Sequence, residues 1–176
     1  MNDFSGPVAA ADYGSYQEFM ELYEGSEIQQ NIGTFITGFA PLLWRSVVNK
    51  DIDARIAISN QLIDDGVNVA YEDNETNVLH VYFNNRTFEP EKEAPLLRRL
   101  LKGGADLNLQ PSKGYSPLIT FISNPRLRES QRAPFYDVLL EFPEFVYREP
   151  DGSLRWPHRA TLTACIEAHE AKAGGR

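Results

Sequence analysis

The chain has 176 residues, 42% hydrophobic and 24% charged, with a formal net charge of −8, a composition that marks a folded protein and excludes a disordered one. Its acid is concentrated early: Asp3, Asp12, Glu18, Glu21, Glu24 and Glu27 all precede Arg45, the first basic residue, which argues against nucleic acid or anionic membrane as partner, since both demand Lys and Arg. No run approaches the roughly 20 apolar residues of a bilayer span. The opening MNDFSGPVAAADYG has neither the basic nor the apolar region of a secretory signal, and Cys165 is the single cysteine, so a soluble, cytoplasmic chain without internal disulfides is expected.

Residues 1–14, rich in Gly, Pro and small side chains, read as a flexible N-terminus. Ser15-Tyr16-Gln17-Glu18 matches a capping box and opens a helix with Phe19, Leu22 and Tyr23 on its apolar side, ended at Gly25-Ser26. Three look-alike segments follow: Gly38-Phe39-Ala40-Pro41-Leu42-Leu43, Asn77-Val78-Leu79-His80 and Ser116-Pro117-Leu118-Ile119. They set Leu42, Leu79 and Leu118 in equivalent places, at spacings of 37 and 39 residues. A recurring period of this size points to repeated units.

A second helical stripe lies within each unit: Ile56, Ile58, Leu62 and Ile63; Leu96, Leu97, Leu100 and Leu101; Phe135, Val138, Leu139 and Phe142. Each stripe is too narrow to bury alone and must lie on a neighbour. Gly66 and Gly104 sit where a helix end needs positive φ, and Val67-Asn68-Val69 and Ala105-Asp106-Leu107-Asn108 continue as extended arms. Ser116-Pro117 restarts a helix, with Ser as N-cap and Pro in the first turn. NNRTFEPEKEA (84–94) and SNPRLRESQRA (123–133) read as polar loops, longer than the roughly 2–8 residues usual between helices and so candidates for function or mobility. A finger turning at Pro150-Asp151-Gly152 and a last helix over 159–172 close the chain, with fraying from Ala173.

The run LLKGGADLNLQPSKGYSPL resembles the repeat junction of the ankyrin family, in which Leu-Leu-x-x-Gly-Ala-Asp-x-Asn leads through a hairpin finger into Thr-Pro-Leu-His. The resemblance is strong over 96–119, fair over 62–80 and weak over 38–48. It implies an all-α fold, an ankyrin-like helical-repeat stack of three to four degenerate repeats behind an N-terminal capping helix. The units would span about 36–73, 74–112, 113–150 and a partial 151–173, within one domain over 15–173. The period exceeds the family's usual length of about 33 residues. Tyr82-Phe83 and Phe121-Ile122 stand where the family places small alanines, so bulk should push the helices of a pair apart.

Chemistry-bearing constellations are sparse. Cys165 and His169 lie one helical turn apart, yet no second thiolate completes a four-ligand zinc set, and Cys165 reads as a small apolar residue. The resemblance implies a structural His80 bonding between hairpins. Asp51, Asp53, Asp64 and Asp65 flank a helix and suit capping and solvation. Neither a phosphate loop nor a nucleophile elbow is present. No enzyme activity, metal or cofactor is therefore expected.

A row of fingers and the adjoining helices remain as the expected working surface. Finger candidates are Tyr71, Glu72, Asp73, Asn74 and Glu75; Lys113 and Tyr115; and Arg148, Asp151, Arg155 and Trp156. Helix candidates are Trp44, Arg45, Tyr82, Asn85 and Arg86. Tyr, Trp and Arg are enriched at interface hot spots, and Tyr71 beside Glu72, Asp73 and Glu75 is expected to have no core to serve. The expected function is a non-enzymatic, monomeric protein-binding module. A bacterial immunity protein that neutralises a basic toxin is the first reading, since opposite charge speeds encounter; an adaptor or regulatory subunit is the alternative.

Overall fold

The computed structural model describes residues 6–37 and 40–174, with only the backbone at 36, 37 and 40. Capping chemistry sets the first elements. Helix α1, Pro7–Tyr13, starts on a proline, and α2, Tyr16–Tyr23, carries the complete Ser15–Glu18 capping box. Ser26 caps the short α3, Glu27–Gln30. The expected loose N-terminus is thus partly helical: Ala10 and Ala11 are fully buried, because α1 packs against both α2 and the next long-range neighbour, α4. Leu22, expected on the buried side of α2, is instead 38% exposed, while Phe19 and Tyr23 are buried.

Hairpin β1, Ile36–Thr37, with β2, Ala40–Pro41, leads into α4, Leu42–Ser46. Asp51 then caps α5, Ile52–Asp64, accepting from the amides of Asp53 and Ala54. The pattern repeats with β3, Glu72–Asp73, paired to β4, Thr76–Asn77, then α6, Val78–Phe83, and α7, Pro90–Lys102. A third unit lacks a paired hairpin but holds α8, Pro117–Ser123, capped by Ser116, a 3-10 turn at Glu129–Gln131, and α9, Ala133–Leu139. A bridge between Arg148 and Leu154 makes the last finger before α10, Ala160–Gly174.

The described residues are mostly helical, with these short hairpins as their β structure. Contacts run in two series: α1 touches α4, α4 touches α6 and α6 touches α8, while α2 touches α5, α5 touches α7 and α7 touches α9. Leu42, Leu79 and Leu118 are all buried on the first series, and Leu62, Leu100 and Leu139 on the second. Gly66 and Gly104 share φ of 92°, and in each the following amide reaches back to the helix: Val67 to the Leu62 carbonyl, Ala105 to the Leu100 carbonyl. That is the Schellman closure the glycines were expected to permit. Gly103 has a separate reason, since a Cβ there would come within 2.7 Å of Val69.

The bulky residues fill the space between the two series. Tyr82, Phe83, Phe121 and Phe135 are buried and their rings meet at centroid distances of 4.9 Å for Phe83–Phe121, 5.7 Å for Phe121–Phe135 and 6.2 Å for Tyr82–Phe135. Each such side chain contributes about 1.5–3 kcal/mol by burial.

The segments 84–94 and 123–133 differ most from expectation. Pro90 begins α7, so the second half of the first segment is helix. Both segments are also anchored inward. Asn85 donates to the Val47 carbonyl at 2.7 Å, and Asn124 donates to the Phe83 carbonyl at 3.0 Å. Asn49 does the same one unit earlier, reaching the Ala11 and Gly14 carbonyls at 3.0 and 2.9 Å. Three buried asparagines therefore form rungs between successive first-series helices.

Charged groups reinforce them. Arg55, 1% exposed, pairs with fully buried Glu93 at 2.6 Å and also donates to the carbonyls of Asn49 and Thr87. Arg132 spends its donors on the carbonyls of Phe121, Ile122, Asn124 and Leu127. Replacing Asn124 by Ala should cost about 1–3 kcal/mol, the penalty of an unpaired buried carbonyl. Urea unfolding measures it, with exposed Asn84→Ala as a control expected to stay within about 0.5 kcal/mol.

Candidate protein-binding surface

The β3–β4 hairpin is built around a tight reversal. Asn74 and Glu75 both take positive φ, 48° and 58°, the two-residue turn whose twist suits a hairpin. Asparagine tolerates this conformation; glutamate does so at a cost of about 1–2 kcal/mol. Glu75 is held there by an outside partner, its carboxylate accepting the Ser112 amide of the next finger at 2.5 Å. That bond keeps the Glu75 carboxyl below its ordinary range. Glu75 thus joins finger to finger.

Glu72 and Asn74 are exposed and Asp73 half-exposed, and Glu72 and Asp73 have no ion-pair partner among the described residues. In the second finger Tyr115 is 68% exposed and Lys113 is exposed beside it. A cleft of about 470 Å³ opens next to the β3–β4 hairpin, lined by Val48, Thr76, His80, Val81, Asn84 and Asn85. His80 closes the base of this hairpin, its Nδ1 accepting the Asn77 amide at 3.2 Å. Burial lowers its pKa, an effect partly offset by the backbone of Leu109 and Tyr115 in the second finger. The imidazole therefore favours its neutral form; its bonds stay within its own hairpin, and its buried Nε2 has no hydrogen-bond partner among the described residues, so the expected bond between hairpins is not made.

Several expected surface residues serve the interior instead. Trp44 is 8% exposed and Tyr82 fully buried; the Tyr82 hydroxyl donates to Glu93 at 3.2 Å. Tyr71 does have a core to serve: it is half-buried against the core and packs edge-on to Trp44 at 5.9 Å. Asn85, expected to face the groove, is the buried rung described above. Arg45 pairs with Asp12 at 3.5 Å.

In the last finger Trp156 stacks on Phe145 at 6.1 Å. Arg155 pairs with Glu149 at 3.2 Å and Arg148 with Glu170 on α10 at 2.7 Å. Asp151 holds the turn through the Ser153 amide. Arg86 is exposed but follows the C-terminal end of α6, away from β4, and so does not join the finger residues. What the structure gathers at the finger edge is Glu72, Asp73, Lys113 and Tyr115.

Burial, then Asp137, push the Cys165 thiol up to about 11, which keeps it protonated and unreactive. Among the described residues no group of three or more His, Cys, Asp or Glu is placed to hold a metal, and no helix is long and apolar enough to cross a membrane. Asp65 also departs from simple capping: it accepts the Tyr23 hydroxyl at 3.0 Å, tying α2 to α5.

No protein-family model and no curated protein sequence matches the chain. A solved structure, the crystal structure of a functionally unknown protein from Leptotrichia buccalis C-1013-b, is similar with a TM-score of 0.67 and 21% identity, covering 99% of this chain and 97% of that one. At that identity the likeness is one of fold.

The finger-to-finger bond has a pH signature. Because Glu75 is lowered from the ordinary 4.5, it supports the folded state fully above that value and loses the contribution as pH falls through its lower folded pKa. In an NMR titration the Glu75 carboxyl should show a midpoint below 4.5, and the Ser112 amide should move with the same midpoint. Glu75→Gln should abolish that amide response.

Proposed function

We propose that this protein is an ankyrin-type repeat stack acting as a non-enzymatic protein-binding module, with the finger edge as its contact surface. The two helix series, with hairpins or fingers between units, support the repeat reading. The single observation that carries the binding reading is the placement of unpaired acid and an exposed aromatic at the finger tips. Glu72 and Asp73 stand on the β3–β4 hairpin without an ion pair among the described residues, and Tyr115 is exposed on the following finger near Lys113. Stability alone does not call for a 68% exposed tyrosine, whereas an interface uses such a side chain to bury large area with few rotors.

The acid favours a basic partner. Of the formal −8, six charges lie ahead of Arg45 and more gather on the fingers, so a cationic protein would be steered toward this surface and wrong partners repelled. An immunity protein that captures a basic toxin fits this surface, and the compact acidic chain suits that role. The cleft beside β4 would receive a side chain from the partner's bound segment.

Tandem purification from the native host with mass spectrometry identifies the partner. The decisive step is a variant, Glu72→Lys with Asp73→Lys and Tyr115→Ala, compared with the unaltered chain against that partner. Binding should weaken by about 2 kcal/mol or more, with unchanged helical circular dichroism and melting point. Retained affinity would remove the finger edge from the interface, and growth protection against the partner's toxicity separates the immunity role from simple association.

A further inference from the structure

The asparagine rungs have a consequence at the opposite edge. Each rung residue is followed almost at once by a cation: Asn49 by Lys50, Asn85 by Arg86, Asn124 by Pro125 and Arg126. Because Asn85 bonds to Val47 and Asn124 to Phe83, successive loops are held side by side, and the cations fall in register along one edge. Lys50, Arg86, Arg126 and neighbouring Arg128 are exposed, and none has an ion pair among the described residues. Elsewhere Arg45, Lys92, Arg98, Arg99, Arg148, Arg155 and Arg159 have carboxylate partners, while Lys102, Lys113 and Lys172 stand singly without one among the described residues; only at the loop edge do four such cations share consecutive rung loops.

Between the second and third of these loops lies a groove of about 500 Å³, with Phe88, Pro90, Ala133 and Pro134 among its walls. Of its anions, Glu89 is neutralised by Lys92 at 3.0 Å, which also holds Asp53 at 3.1 Å; Glu91 remains. Cations flank the groove in sequence, Arg86 two residues before Phe88 and Arg128 two before Ser130. The groove is partly apolar and its own lining carries Glu89, Glu91 and Lys92, so the charge that would hold a carboxylate-bearing, apolar-bearing segment comes from Arg86 and Arg128 on the adjoining loop residues.

We propose that this loop edge is a second docking surface, taking an acidic, apolar-bearing segment of a partner protein. It is separate from the finger edge and opposite to it in charge, so either surface can fail without the other. The net acidity of the protein favours a protein segment over nucleic acid or an anionic bilayer, since a distant field of negative charge repels a polyanion more strongly than a short peptide.

The probe is a fluorescein-labelled synthetic peptide alternating Glu with Leu and Phe, titrated into the full chain and followed by anisotropy. Binding should weaken with added salt and fall about tenfold in the Arg86→Glu, Arg126→Glu, Arg128→Glu variant. The Glu72→Lys, Asp73→Lys, Tyr115→Ala variant should bind as the unaltered chain does. Amide shifts on peptide addition should cluster at 86–92 and 126–134, and a groove-filling Gln131→Trp change should weaken binding while circular dichroism stays the same. Absence of binding by the unaltered chain, equal binding by the charge-reversed variant, or shifts centred on 71–75 and 113–115 would each overturn the proposal. So would phosphatidylserine vesicles that retain the unaltered chain but not the charge-reversed variant, which would assign the edge to membrane lipid.

Discussion

Helices as short as those of the first series impose the constraint on which the structure depends. α4, α6 and α8 have five, six and seven residues, so most of their carbonyls have no partner within the helix. Packed side by side, they would bury those groups unpaired. Asn49, Asn85 and Asn124 resolve this by donating from one unit to the carbonyls of the unit before it. Asn85 also caps its own helix, reaching the Tyr82 carbonyl at 2.9 Å. Arg132 completes the end of α8 from below, reaching the carbonyls of Phe121 and Ile122.

The buried Arg55–Glu93 pair follows from the same need. Glu93 accepts from Arg55, the Tyr82 hydroxyl and the Glu89 amide, so both its oxygens are satisfied where water cannot reach. A buried ion pair of this kind is weak evidence of net stability, because desolvation offsets most of the attraction. Its geometric effect is plainer: the Glu93 carboxylate ties the first turn of α7 to the end of α6, and its partner Arg55 on α5 holds the loop carrying Thr87. Loop length beyond the ordinary is thereby anchored to the core, at Asn85, Thr87 and Glu89.

Glycine, proline and capping chemistry were legible in the sequence because they act locally. The Ser15–Glu18 box, Asp51, Ser116-Pro117 and the positive φ of Gly66 and Gly104 depend on a few neighbouring residues, and each stands as expected. Tyr82, Trp44 and Tyr71 were read outward because their polar tips suit a surface; inside, those tips found Glu93, or the ring found another ring. The rungs were missed for a similar reason, since asparagine in a polar stretch reads as loop. A signal was nevertheless present: Asn49, Asn85 and Asn124 are 36 and 39 residues apart, close to the 37 and 39 of the repeated leucines. Periodicity of polar residues carried the same information as periodicity of apolar ones.

The site was only partly legible, because charge in a sequence does not disclose pairing. Arg45 and Arg155 are as basic in the sequence as Arg86, yet they are spoken for by Asp12 and Glu149. Removing paired ions leaves Glu72 and Asp73, with Lys113, at the finger edge and cations alone at the loop edge, at opposite ends of the first-series helices. A helix of five to seven residues rises about 8–10 Å, comparable to the screening length of about 8 Å at physiological ionic strength. A partner resting on either edge therefore responds chiefly to the charge beneath it. Helix length and the register of the rungs together let one small acidic molecule present two electrostatically separate faces.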